Sequence, residues 1–174
     1  MASQRLFISV PLPEAVRRTL TELMTDLPEV RWTRFDQLHL TLRFLGDVPD
    51  EKLTPLTERL AQIRVKPFLL PVAGVNAFPP GGPPRVLWTG VGSGHPRLYQ
   101  LRQRVDDTLL AVGLDVDLRS FVPHISLARC GETTEKLAAR WLRVHATFEG
   151  PSFLVDAFEL YASELQPDGA VHRL

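Results

Sequence analysis

The sequence predicts an α+β fold, on three observations. Strand-like and helix-like segments alternate irregularly, several strand segments follow one another across a turn alone, and no glycine-rich phosphate loop follows a strand. A doubly wound parallel sheet would alternate regularly and is excluded. The 174 residues are 44% hydrophobic, enough to bury a sizeable core. No low-complexity linker divides them, so residues 1–174 are expected to form a single domain with room for two lobes.

The elements follow in order. Residues 5–10 alternate as a strand, with Leu6, Ile8 and Val10 on one face and Arg5, Phe7 and Ser9 on the other, which predicts one buried face. Pro13 opens a helix whose stripe runs through Val16, Leu20, Leu23 and Leu27, and Pro28 ends it. Residues 38–45 form a second strand. Asp50 to Ile63 is helical, with Pro55 able to delay its start. Residues 67–78 and 85–91 are strands on either side of a proline-glycine loop. His95 to Val112 is a helix closed by Gly113. A strand over 122–128, a helix from Thr134 to Val144 and strands near 147–155, 157–164 and 170–174 complete the chain.

Bulk properties exclude some classes of function. The formal net charge is zero, which argues against coating long nucleic acid but leaves room for one nucleotide end in a small basic pocket. Basic residues are nearly all arginine, with only Lys52, Lys66 and Lys136 as lysines; guanidinium suits phosphate forks and base stacking. No apolar run is long enough to span a membrane. The start of the chain lacks the layout of a signal peptide. The single cysteine, Cys130, precludes an internal disulfide and fits a reducing cytoplasm. Balanced charge points to a monomer.

The informative feature is an internal repeat. Residues 39–46 read His-Leu-Thr-Leu-Arg-Phe-Leu-Gly, and residues 124–131 read His-Ile-Ser-Leu-Ala-Arg-Cys-Gly. The copies begin nearly half the chain apart. On a strand, residues i and i+2 share a face. His39 therefore stands beside Thr41, and His124 beside Ser126, while Leu40, Leu42, Ile125 and Leu127 turn to the core. If the two halves pack about a pseudo-two-fold axis, two imidazoles and two hydroxyls surround one small anion. One neutral imidazole can take a proton from water while the other, protonated, gives one to a leaving oxygen. The hydroxyls can hold non-bridging oxygens as charge builds. This is the equipment of phosphodiester hydrolysis, and a strained cyclic phosphate needs less help than a linear diester, so two histidines can suffice without a metal. Zinc is the competing use of histidine, but neither motif offers a second histidine or an acid at ligand spacing. No cofactor is expected. Either histidine can be the base on this reading.

These motifs resemble the two-histidine phosphoesterase superfamily, and within it the bacterial and archaeal RNA 2′,3′-cyclic phosphodiesterases, historically called 2′-5′ RNA ligases. The likeness runs through Arg5-Leu-Phe, Leu38-His-Leu-Thr-Leu-Arg-Phe-Leu-Gly46, Phe78-Pro, Pro84-Arg-Val-Leu-Trp88, Pro123-His-Ile-Ser-Leu-Ala-Arg129, Leu160-Tyr-Ala-Ser163 and Pro167-Asp-Gly169. It implies a single bilobal α+β domain over residues 1–174, with two antiparallel sheets and flanking helices around a central cleft. It implies metal-free opening of 2′,3′-cyclic ends on RNA or cyclic nucleotides to 2′-phosphates, with His124 as base and His39 as acid. It also implies that Phe7 and Arg129 hold the terminal base. Phe7 suits this as an apolar ring on a polar strand face. Strict alternation turns Arg129 away from His124, so a strand end or bulge is required. Arg43 alternates onto the face of His39 and is a further nucleotide-binding candidate. The family usually has threonine in both motifs; Ser126 keeps the hydroxyl but loses the β-branch that restricts its rotamer.

Two other functions fit the same residues. A 5′-hydroxyl RNA end can attack the cyclic phosphate, giving 2′-5′ ligation. A non-catalytic module can bind nucleotide or RNA ends, though binding alone does not call for two imidazoles.

Overall fold

The computed structural model describes residues 2–132, 134–166 and 169–174. Pro167 and Asp168, part of the last resemblance motif, lie outside the described residues. Ten strands and four α-helices are described: β1 (Ser3–Val10), α1 (Glu14–Thr21), β2 (Val30–Trp32), β3 (Leu40–Pro49), α2 (Leu53–Leu60), β4 (Phe68–Leu70), β5 (Ala73–Phe78), β6 (Val86–Gly90), α3 (Pro96–Ala111), β7 (His124–Cys130), α4 (Glu135–Val144), β8 (Phe153–Val155), β9 (Glu159–Gln166) and β10 (Gly169–Arg173). This is the expected α+β class. None of the described helices is long and apolar enough to cross a membrane.

The strands form two antiparallel sheets of unequal size. The large one runs β10-β9-β1-β3-β7-β6-β5, with β2 also paired to β7; the small one pairs β4 with β8. The two histidine-bearing strands are neighbours at the centre of the large sheet, joined where Leu40 pairs with Ile125. Leu40, Leu42, Ile125 and Leu127 are all at most 2% exposed, as the alternation requires. Leucines of the helices, including Leu20, Leu56, Leu98 and Leu109, share their core.

The two repeats are bulged at the same place. On β3, Ser9 faces Thr41 but Ile8 faces Arg43, so Leu42 is the extra residue. On β7, Trp88 faces Ser126 but Leu87 faces Ala128, so Leu127 is the extra residue. Each bulge lies three residues after the histidine. It sends two successive residues to the core and reverses the alternation beyond. The repeat glycines serve different needs. Gly46 has a φ of +71°, a left-handed backbone that favours glycine. At Gly131 an added Cβ would come within 3.1 Å of the Glu29 Cβ.

Several sequence expectations need correction. β1 is buried on both faces, since Phe7 and Ser9 are 3% and 0% exposed; flanking strands and aromatic rings cover its second face. α1 ends at Thr21, because tighter i→i+3 bonds from Leu23 and Met24 replace the helical ladder. Leu23 still reaches the core. The strand expected over 67–78 breaks at Pro71 and Val72 into β4 and β5, which belong to different sheets. Pro71 lacks the N–H a continuous ladder needs. β2 was not expected at all.

Candidate active site

His39 and His124 are held in matching ways. His39 Nδ1 lies 2.7 Å from the Gln37 carbonyl, and His124 Nδ1 lies 2.6 Å from the Val122 carbonyl. Each bond reaches back two residues. A carbonyl only accepts, so Nδ1 carries the hydrogen in both rings. Nε2 is left in each as the atom that exchanges protons. Sequence alone did not show this anchoring. It depends on where the carbonyl two residues back lies, which before His39 is set by a single 3-10 turn over Phe35–Gln37.

The hydroxyls complete the set. Thr41 and Ser126 are half-buried. Antiparallel register carried one step either side of Leu40 and Ile125 brings His39 towards Ser126 and Thr41 towards His124. Each histidine thus faces the other repeat's hydroxyl as well as its own.

Aromatic rings fix each imidazole. His39 packs 5.1 Å from Phe7 and 5.4 Å from His172, centroid to centroid. Tyr161 stacks on Phe7 at 5.4 Å. His124 packs 4.9 Å from Phe78 and 5.6 Å from Trp88. His172, Tyr161, Phe78 and Trp88 were given no role in the sequence reading. His172 had no motif to mark it and is distant in sequence from what it touches.

These surroundings set the protonation of the first cluster. Burial pushes His39 below the ordinary imidazole value, the positive charges of His172, His124 and Arg17 add to this, and the Gln37 carbonyl opposes it. Burial also lowers His172. Burial, with the neighbouring Glu159 carboxylate that accepts its hydroxyl, pushes Tyr161 up to about 12. Tyr161 therefore stays a neutral phenol around pH 7.

The nucleotide-binding candidates fare differently. The bulge at Leu127 restores Arg129 to the face of Ser126 and His124: it lies opposite Val86, two residues from Trp88 on β6, and is exposed. This meets the condition set by the alternation. Arg43 requires correction. The bulge at Leu42 turns it to the core, where it is 6% exposed. Its Nε and Nη2 donate to the Asp106 carboxylate at 2.8 Å each, and Nη1 donates to the Asp117 carbonyl at 3.1 Å. It ties β3 to α3 and leaves no free fork for a nucleotide. Phe7 also needs correction. It lies on the His39 face as expected, but Tyr161, His39, His172 and Phe44 surround it, so it supports the imidazole and offers no open ring to a base. Phe44, the counterpart of Arg129 five residues after its histidine, is 68% exposed and touches Phe7 at 6.0 Å. Among the described residues, no three His, Cys, Asp or Glu side chains are grouped to hold a metal ion.

Two neighbouring bulged strands, each led by an anchored imidazole with a hydroxyl two residues on, make up the candidate active site. The chain belongs to the LigT-like phosphoesterase family, whose model matches residues 10–88 and 91–172. An RNA 2′,3′-cyclic phosphodiesterase of Thermus thermophilus is 39% identical over 97% of this chain and 86% of its own length. One from Geobacillus stearothermophilus is 37% identical over 74% of this chain but only 43% of its own length. The crystal structure of E. coli LigT complexed with 3′-AMP superposes with a TM-score of 0.80 at 27% identity, covering 99% of this chain and 95% of that one.

Proposed function

We propose that this chain hydrolyses the 2′,3′-cyclic phosphate ends of RNA to 2′-phosphomonoesters, by acid-base catalysis at His39 and His124 and without a metal. The observation that carries this reading is the matched pair of imidazoles, each with Nδ1–H bound to a carbonyl and Nε2 left to exchange protons. The names of the full-length relatives agree with it.

His124 Nε2 takes a proton from water as the water oxygen attacks phosphorus. His39 Nε2 donates a proton to the departing 3′-oxygen, and the phosphate stays on the 2′-oxygen. Thr41 and Ser126 donate hydrogen bonds to the non-bridging oxygens as they gain charge. His39 is biased to its neutral form in the free protein, and the anionic phosphate favours return of its proton on binding. Arg129 and the exposed Phe44 ring flank the cleft where the terminal base leaves the phosphate. The protein acts as a cytoplasmic monomer, with residues 1–174 as one catalytic unit.

Incubation with 2′,3′-cyclic AMP in excess EDTA tests this directly. Accumulation of 2′-AMP is expected, with loss in His39→Ala and His124→Ala. Dependence on added metal, or near-parent turnover in both variants, contradicts it.

A further inference from the structure

The carbonyl that orients His39 belongs to Gln37, and Gln37 is itself tied down. It is the last residue of the single turn over Phe35–Gln37, just before His39. That turn meets α1 through the Arg17 guanidinium, which lies 5.9 Å from the Phe35 ring. It meets β10 through the Gln37 side chain, whose Nε2 donates to the Ala170 carbonyl at 2.7 Å. In the sheet, β9 and β1 stand between β10 and β3, so this bond joins segments that no strand pairing brings together. Two residues further along β10, the His172 ring lies 5.4 Å from His39 and 4.8 Å from Phe7. One strand therefore touches the first imidazole directly and also holds the residue that aims it.

The second half lacks this device. The carbonyl that orients His124 belongs to Val122, an exposed residue whose side chain has no hydrogen-bonding group. An orienting carbonyl is only as fixed as the backbone that carries it. A glutamine that bonds its own turn to another strand removes backbone freedom at the residue that matters, at the cost of one side chain's rotamers. Gln37 and Ala170 are both half-buried, which shields the bond from competing water. We propose that Gln37 is a positioning residue: by latching its turn to β10 it fixes the direction of the His39 imidazole, and so the path along which His39 delivers its proton. This rests on the phosphodiesterase reading above.

Gln37→Met tests this, since it keeps the side-chain length and the main-chain carbonyl and removes the donor. With 2′,3′-cyclic AMP its kcat should fall at least about tenfold with KM nearly unchanged, because a small misplacement of an acid-base group is costly in rate while the phosphate contacts remain. Gln37→Leu should behave alike. Proton NMR supplies a readout that general loosening would not give. The His39 Nδ1–H should exchange with water faster in Gln37→Met than in the parent, while the His124 Nδ1–H, anchored without a glutamine, should be unchanged. Parent kcat in Gln37→Met, an equal change in both imidazole signals, or a loss carried by KM overturns the proposal. A parent that turns over neither 2′,3′-cyclic AMP nor an RNA oligonucleotide with a cyclic end overturns the functional reading itself, and this inference with it.

Discussion

The His39 half and the His124 half of the candidate site share a backbone pattern and differ in what surrounds it. Both have the histidine anchored through Nδ1, the hydroxyl two residues on and the bulge after the third residue. Beyond the bulge they diverge. The fourth residue is Arg43 in one half, locked to Asp106, and Ala128 in the other, a small side chain in the core. The fifth is the exposed ring of Phe44 in one and Arg129 in the other. His39 is enclosed by Phe7 and His172, while His124 sits in a more open setting. The duplicated part sets where protons are exchanged. The part that differs encloses His39, where burial biases the imidazole to its neutral form, and sets which side chains stand beside each histidine.

Several changes would break or sharpen this comparison. The hydroxyls come next in effect after the histidines. Thr41→Ala and Ser126→Ala should each lower kcat about a hundredfold if they stabilise the charged transition state, with little change in KM. Equal rises in KM instead would mark them as ground-state contacts. Arg43→Ala should destabilise the fold by about 3 kcal/mol, because it strands the Asp106 carboxylate in a mostly buried place. Denaturant unfolding would measure this, whereas Ala128→Gly on the other half, in the middle of a strand, should cost only about 1 kcal/mol. Phe44→Ala should weaken substrate binding by about 1–3 kcal/mol, seen as a rise in KM, if the ring stacks on a base. Phe44→Leu restoring full affinity would reduce the ring to a hydrophobic cover.

The smallest effect is a pH dependence. His39 and His172 both lie below their ordinary value of 6.5 in the folded protein. As pH falls through that value, the unfolded chain takes up protons before the folded one does, so stability is fuller above it and declines below. The Tm should drop between pH 8 and pH 5, and His172→Phe should flatten the decline. A Tm that rises on acidification would contradict the enclosure of the first cluster.

Much of the site was legible because strand periodicity is a strong local signal. His39, Thr41, His124 and Ser126 share faces as the two-residue repeat requires, and their apolar neighbours are buried. The bulges were not legible. They occur at Leu42 and Leu127, ordinary leucines with no glycine or proline to mark them. One unseen residue on each strand moved Arg43 into the core and brought Arg129 to the face of Ser126 and His124. The first helix was read too long because Leu23 and Leu27 keep helical spacing after the helix has ended. β2 is three residues long, too short for periodicity. His172 was hidden for another reason: only the pairing of β10 with β9, and β9 with β1, brings the end of the chain to His39.

The central claim is that the two halves work as one acid-base unit, and a double-mutant cycle on His39 and His124 tests it most directly. His39→Ala and His124→Ala should each reduce kcat for 2′,3′-cyclic AMP by at least about a hundredfold, and the double variant should be little worse than either single one. Losses that multiply in the double variant, or near-parent turnover with either histidine removed, would contradict it.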